Sequence, residues 1–197
     1  MYSSKYFDHL VVFTAGIGMF LSTLDSGIIN VALPTLSKSF NVTPSFITWS
    51  VTLYTLLLTG TIIIFGRLSD KYSRLNIYSL GLTVFLIASI LCGFSNSIMQ
   101  LIVFRGLQGI GAAMLQGTAT AIITTTIPED RQGPALGTLS ILLGIGPVLG
   151  PSIGGLLISI GNWRWIFWIN IPFIFIGLIG SLLLKKYTNC LLYTSDA

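Results

Sequence analysis

Two charged residues stand inside long apolar runs, and their chemistry sets the terms for the rest of the chain. Asp25 lies in Leu24-Asp25-Ser26-Gly27, and Arg105 heads the segment Arg105-Gly106-Leu107-Gln108-Gly109-Ile110-Gly111. An ionised Asp at the centre of a membrane helix costs about 2.5–3.5 kcal/mol on insertion scales. Such a carboxylate therefore faces water, a partner, or a proton that comes and goes. The functional reading of Asp25 is a proton-binding group with changing access; the structural one is a carboxylate held by Ser22 or Ser26. A guanidinium keeps its proton at accessible pH. Arg105 then either holds a nearby carboxylate ionised and releases it when helices move, or snorkels to the outer interface.

Other chemistries are closed off by counting. His9 is the single histidine and sits outside the apolar runs. A Ser–His pair within the membrane, or a zinc site of the HExxH kind, is therefore excluded. One intramembrane carboxylate cannot form an aspartyl dyad. Cys92 lies in an apolar run and Cys190 in the tail, which gives neither a disulfide framework nor a paired metal motif. The expectation is no enzyme, no metal and no cofactor beyond a proton gradient.

The elements that must position Asp25 and Arg105 follow from composition. Of 197 residues, 53% are hydrophobic and 8% charged, with ten Lys/Arg against six Asp/Glu. Mean hydropathy is +0.87 and the pI about 9.2. Soluble domains carry roughly 25% charged residues, so this chain cannot solvate a globular surface. A nucleic-acid partner is a poor use of so few charges. Apolar runs of about 20 residues match a bilayer-spanning helix. The run from Leu10 continues past Asp25 without a cleavage site, unlike a signal peptide.

Turn and polar residues divide the chain into six spans at about 10–33, 46–66, 76–96, 98–122, 134–159 and 165–184. The intervening breaks are Pro34–Pro44, Arg67–Arg74, Ser95-Asn96-Ser97, Pro128–Arg131 and Gly161-Asn162. With the N-terminus in the cytoplasm, seven basic residues (Lys5, Arg67, Lys71, Arg74, Arg131, Lys185, Lys186) fall inside against Lys38 and Arg164 outside. Trp49, Trp163, Trp165 and Trp168 mark the outer interface, while Tyr72 and Tyr78 flank the inner loop. Helices 1–3 and 4–6 are candidates for inverted copies, which would pair Asp25 of helix 1 with Arg105 of helix 4 by position.

Glycine is patterned as well. Helix 5 holds Gly146, Gly150 and Gly154 at four-residue spacing, with Pro147 and Pro151 interleaved and Gly155 following. Helix 4 carries Gly109, Ala113, Gly117 and Ala121 at the same spacing. Small residues so spaced form a groove where another helix approaches closely, and the prolines suggest bending in a moving interface. In the loop Gly66-Arg-Leu-Ser-Asp70-Lys71-Tyr-Ser-Arg74, Asp70 and Arg74 form an i,i+4 pair if helical, and Asp70 is a candidate cap for the next helix. The plainer role of this loop is a positive-inside anchor.

In order along the chain, these segments resemble the major facilitator superfamily over residues 10 to about 185. Gly66-Arg-Leu-Ser-Asp70-Lys71-x-x-Arg74 is similar to its signature loop between helices 2 and 3, although Ser73 replaces the usual glycine and Leu75 a second basic residue. Arg105-x-x-Gln108-Gly109-x-Gly111 is similar to the helix 4 motif linked with proton transfer. Gly146-Pro147-x-x-Gly150-x-x-x-Gly154-Gly155 is similar to the helix 5 motif of antiporters. Leu24-Asp25-x-x-Ile28-Ile29-Asn30-Val31-Ala32-Leu33-Pro34 and Asn162-Trp-Arg-Trp-Ile-Phe-x-Ile-Asn170-x-Pro172 resemble the fourteen-helix drug:proton antiporters of EmrB/QacA type.

The resemblance implies an all-α membrane fold, the N-terminal six-helix half of a facilitator built as a 3+3 inverted repeat, over residues 1–186. The tail 187–197 does not continue the pattern and reads as truncation or foreign sequence. Implied partners are an amphipathic or cationic small molecule, the lipid bilayer of the cell membrane, and missing C-terminal helices of the same transporter. Implied function is proton-coupled export, with Asp25 and Arg105 in coupling. Gly66, Asp70, Lys71 and Arg74 would act in gating. The alternatives are a half-transporter that assembles without transporting, or a facilitator of another solute class.

Overall fold

In the computed structural model, residues 5–195 are described, with side chains from 6 to 187. The helices run in the order α1 (Lys5–Phe40), α2 (Pro44–Ile47), α3 (Trp49–Lys71), α4 (Arg74–Gly93), α5 (Ile98–Thr126), α6 (Glu129–Ile160), α7 (Trp165–Trp168) and α8 (Asn170–Ser195). Six spans are long and apolar enough to cross a membrane, with α2 leading into α3 and α7 into α8. The sequence-derived tail begins at Tyr187. The backbone of α8 passes through it to Ser195, while its side chains from 188 and residues 196–197 lie outside what is described.

Helices rather than irregular segments cross here because lipid offers no partner for a free backbone N–H or C=O. Three expected breaks move on that account. Pro34 does not end the first helix: α1 runs through it to Phe40. The stop is Asn41, whose φ of 52° is left-handed. Asn41 N–H reaches Lys38 C=O at 3.3 Å and Val42 N–H reaches Ser37 C=O at 3.1 Å, the Schellman arrangement that satisfies the last carbonyls. Likewise α3 stays helical to Lys71, so the second turn shrinks to Tyr72 and Ser73. Finally, Glu129-Asp130-Arg131 form the first turn of α6 rather than a loop, with Pro128 before them. Two carboxylates at that N-terminus complement the helix dipole.

The longest packing partnerships are α1 along α6, α3 along α5, and α4 along α5. Exchanging the first three spans with the last three maps the α1–α6 contact onto the α5–α3 contact, as an inverted repeat requires. The spans of α1 and α5 are the most enclosed, while those of α3 and α6 are the barest. Leu56, Ile63 and Ile64 on α3 and Ile141, Val148 and Leu156 on α6 are exposed.

One core cluster joins Val11, Ala15 and Leu21 of α1 to Tyr78, Leu82 and Phe85 of α4 and Leu115 and Ile122 of α5. Tyr78, expected beside the inner loop, is fully buried there instead. Its hydroxyl accepts the Gly18 N–H at 3.0 Å and donates to the Thr14 carbonyl, so it stands within the backbone ladder of α1. The other cluster, around Leu24, Ile28, Leu36, Leu101, Trp163 and Phe167, fills the end of the bundle away from the termini.

Candidate functional site

Asp25 and Arg105 meet. Arg105 enters seven residues into α5, about 10 Å of rise from its start, and is fully buried. Its Nη1 donates to Asp25 Oδ2 and, at 2.7 Å, to Gln108 Oε1. Gln108 Nε2 donates to Asp25 Oδ1 at 3.1 Å and to Ser89 Oγ at 2.9 Å. Asn170, the first residue of α8, donates from Nδ2 to Asp25 Oδ1 at 2.9 Å. Three helices (α1, α5 and α8) thus meet at one carboxylate that is 2% exposed, and α4 joins through Ser89 on Gln108.

Neither residue takes the local arrangement that its structural alternative named. Arg105 does not snorkel. Ser22 Oγ donates to the Met19 carbonyl and Ser26 Oγ to the Ser22 carbonyl, so neither hydroxyl donates to Asp25. Breaking a buried ion pair by removing one partner costs about 3–5 kcal/mol, because the survivor keeps an uncompensated charge. Neutralising Asp25 would likewise leave the Arg105 charge uncompensated in a dry interior.

The glycines explain how charged groups can lie this deep. At Gly109 the backbone of Tyr54 comes so close that a Cβ would lie 3.1 Å from the Tyr54 carbonyl carbon. That approach lays the Tyr54 ring over the Arg105 guanidinium, 4.1 Å from centroid to carbon, a cation–π contact. Tyr54 is held from its other end, its hydroxyl donating to the Ser22 carbonyl at 3.0 Å. Gly111 faces the other way, toward Phe85 N and Gly81 O of α4, and Gly117 lies against Ile62 and Gly66 of α3.

The α6 glycines lie against the part of α1 that carries Asp25. Gly146 meets Thr23 and Leu24, Gly150 meets Gly27, and Gly154 meets Ile28. Pro147 presents its Cα to Gly27 while remaining exposed. Gly155 does not join this seam; a Cβ there would touch nothing within 4 Å. It follows Gly154 by one residue and turns off the α1-facing stripe.

The second loop is apart from this centre. Arg74 Nη2 bonds Asp70 Oδ1 at 2.7 Å, across the turn rather than within one helix. Asp70 does not cap α4: Ser73 holds that position, without a side-chain bond. Lys71 Nζ lies 5.6 Å from the Tyr72 ring centroid. Among the described residues no three His, Cys, Asp or Glu side chains gather as metal ligands would.

Sequence reasoning missed Ser89, Tyr54 and above all Asn170 as parts of the site. Each is an uncharged polar group inside an apolar span, and that was the available signal.

The model of the Major Facilitator Superfamily matches residues 15–189. The chain belongs to that superfamily. Among curated facilitators, it is similar to the riboflavin transporter RibZ of Clostridioides difficile (strain 630), 40% identical over 90% of this chain and 38% of the relative. It is similar to the multidrug transporter protein MdtP of Bacillus subtilis (strain 168), 37% identical over 86% of this chain and 31% of the relative. The chain thus spans about a third of these relatives' length. Among solved facilitator folds it matches a bacterial homologue of the human lysosomal transporter Spinster, inward-facing and unoccupied, with TM-score 0.73 and 22% identity over 93% of this chain and 43% of that one. The bundle is the N-terminal half of a facilitator fold, and the chain is a multi-pass membrane protein.

Proposed function

We propose that this bundle is half of a proton-coupled exporter of amphipathic or cationic compounds, of the fourteen-helix drug:proton type. The observation that carries the reading is Asp25 paired with Arg105 inside the bundle, on the helix that lies closely against α6. A named multidrug transporter among the relatives supports the substrate class.

In this account the proton arrives from the outer side. An O–H bond forms on Asp25, the ion pair opens, and Arg105 must find other acceptors as α1 shifts along the glycine seam. Loss of the proton to the cytoplasm restores the carboxylate and its pair with Arg105. One charge crossing 100 mV contributes about 2.3 kcal/mol, enough for useful accumulation against a gradient. The bare apolar faces of α3 and α6 suit lipid and the remaining helices of the transporter. The Gly66–Arg74 loop, with Asp70 bound to Arg74, would break and remake that contact on the cytoplasmic side. The basic residues of the loops support an N-terminus inside.

A second reading, transport of a flavin-like aromatic solute, is favoured by the riboflavin-transporting relative. Everted vesicles carrying the complete transporter separate the two. Uptake of ethidium driven by an acid interior supports export of cations; riboflavin transport without ethidium transport supports the second reading and removes the first.

A further inference from the structure

Among the described residues Asn170 is the ligand of Asp25 that α8 contributes, and the chain is broken to place it. The helix that begins at Trp165 stops at Trp168, Ile169 joins, and Asn170 opens α8. Pro172, two residues on, has no N–H to return to the Trp168 carbonyl, which accounts for the interruption. Gly177 and Gly180 then bring α8 against Ile17 and Thr14 of α1, and Phe173 stacks edge-on to Phe20 at 6.3 Å. The side chain is completely buried. Its Nδ2 donates to Asp25, while its Oδ1, also buried, has no protein partner.

Resting on the reading of Asp25 as the proton site, we propose that Asn170 is a positioning residue for the proton on Asp25, serving the carboxyl in both of its states. A carboxylate only accepts hydrogen bonds, whereas a carboxylic acid must also donate one. Asn170 meets the first need through Nδ2. When a proton taken from water forms the O–H bond on Asp25 and the Arg105 pair opens, rotation of the amide presents Oδ1 to accept it. Gln108 is less free to do so, since its oxygen takes Arg105 and its nitrogen takes both Asp25 and Ser89. The charged and titratable groups around Asp25 are Arg105 from α5, Tyr54 of α3 against that guanidinium, and Cys92 of α4 beside Gln108. Among the described residues the α6 seam supplies only glycine, proline and aliphatic groups.

The test is an infrared pH titration of the chain in lipid nanodiscs, following the carbonyl stretch of a protonated carboxyl that Asp25→Asn removes. Asn170→Leu changes the pH at which this band appears and shifts its frequency, since both the donor to the carboxylate and the acceptor for the acid are lost. Asn170→Ser, which keeps a group that both donates and accepts, returns both readings toward the unmodified chain. If Asn170→Leu fails to assemble, Asn170→Ala gives the same comparison. An Asp25 band unmoved in position and frequency by loss of the amide overturns the role of Asn170 while leaving proton binding intact. Absence of any titrating Asp25 band in the unmodified chain overturns the proton-site reading itself, and this inference with it.

Discussion

Gly27 of α1 and Gly150 of α6 meet backbone to backbone, so closely that a Cβ on Gly150 would lie 2.6 Å from Gly27 Cα. No side chain lies between the two helices at that level, and nothing flexible can yield to one. The contact falls two residues beyond Asp25. The separation of α1 from α6 and the placement of the carboxylate are therefore one geometric condition.

Gly150→Ala should lower stability by about 1–3 kcal/mol, the usual cost of overpacking. Gly155→Ala, where a Cβ meets nothing, should leave stability unchanged or raise it by up to about 1 kcal/mol, the preference of a helix interior for Ala. Thermal unfolding of the two variants in detergent checks this, and equal midpoints would remove the seam from the account.

Tyr78→Phe should destabilise by about 1–3 kcal/mol, since the Gly18 N–H and Thr14 carbonyl lose the hydroxyl that bridges them in a dry interior. Hydrogen exchange at the Gly18 amide should rise along with it. Unchanged exchange would mean that α1 closes its own ladder there without help.

Asp70→Asn should leave membrane insertion and fold stability nearly unchanged, because its partner pair is exposed and such pairs contribute about 0–1 kcal/mol. Turnover of the complete transporter should fall severalfold. If rates in vesicles match the parent, the loop acts in topology alone.

How much of this was legible beforehand depended on the energy each residue costs in lipid. Asp25 and Arg105 announce themselves because a charge in an apolar run demands compensation, and the structure makes each the other's compensation. Gln108 was legible through the resemblance of its segment to a family motif, and the α6 glycines from their spacing. Asn170 was visible only within a motif, because a neutral amide near a span's end raises no such demand. Pro34 misled for a related reason. In water it would end a helix, whereas in a membrane bundle the backbone keeps its hydrogen bonds and runs on to Asn41. Tyr78 was placed at the interface because tyrosines gather there, yet its hydroxyl finds partners in the backbone of α1.

The central claim is that Asp25 carries the coupling proton, and the most direct measurement counts it. The complete transporter, reconstituted in liposomes with an imposed pH gradient, is compared with its Asp25→Asn form while efflux substrate and proton flux are followed together. The account predicts that Asp25→Asn loses pH-driven transport and its accompanying proton flux, while substrate still equilibrates down its own gradient. Proton-coupled transport persisting in Asp25→Asn at the parent's rate would contradict it.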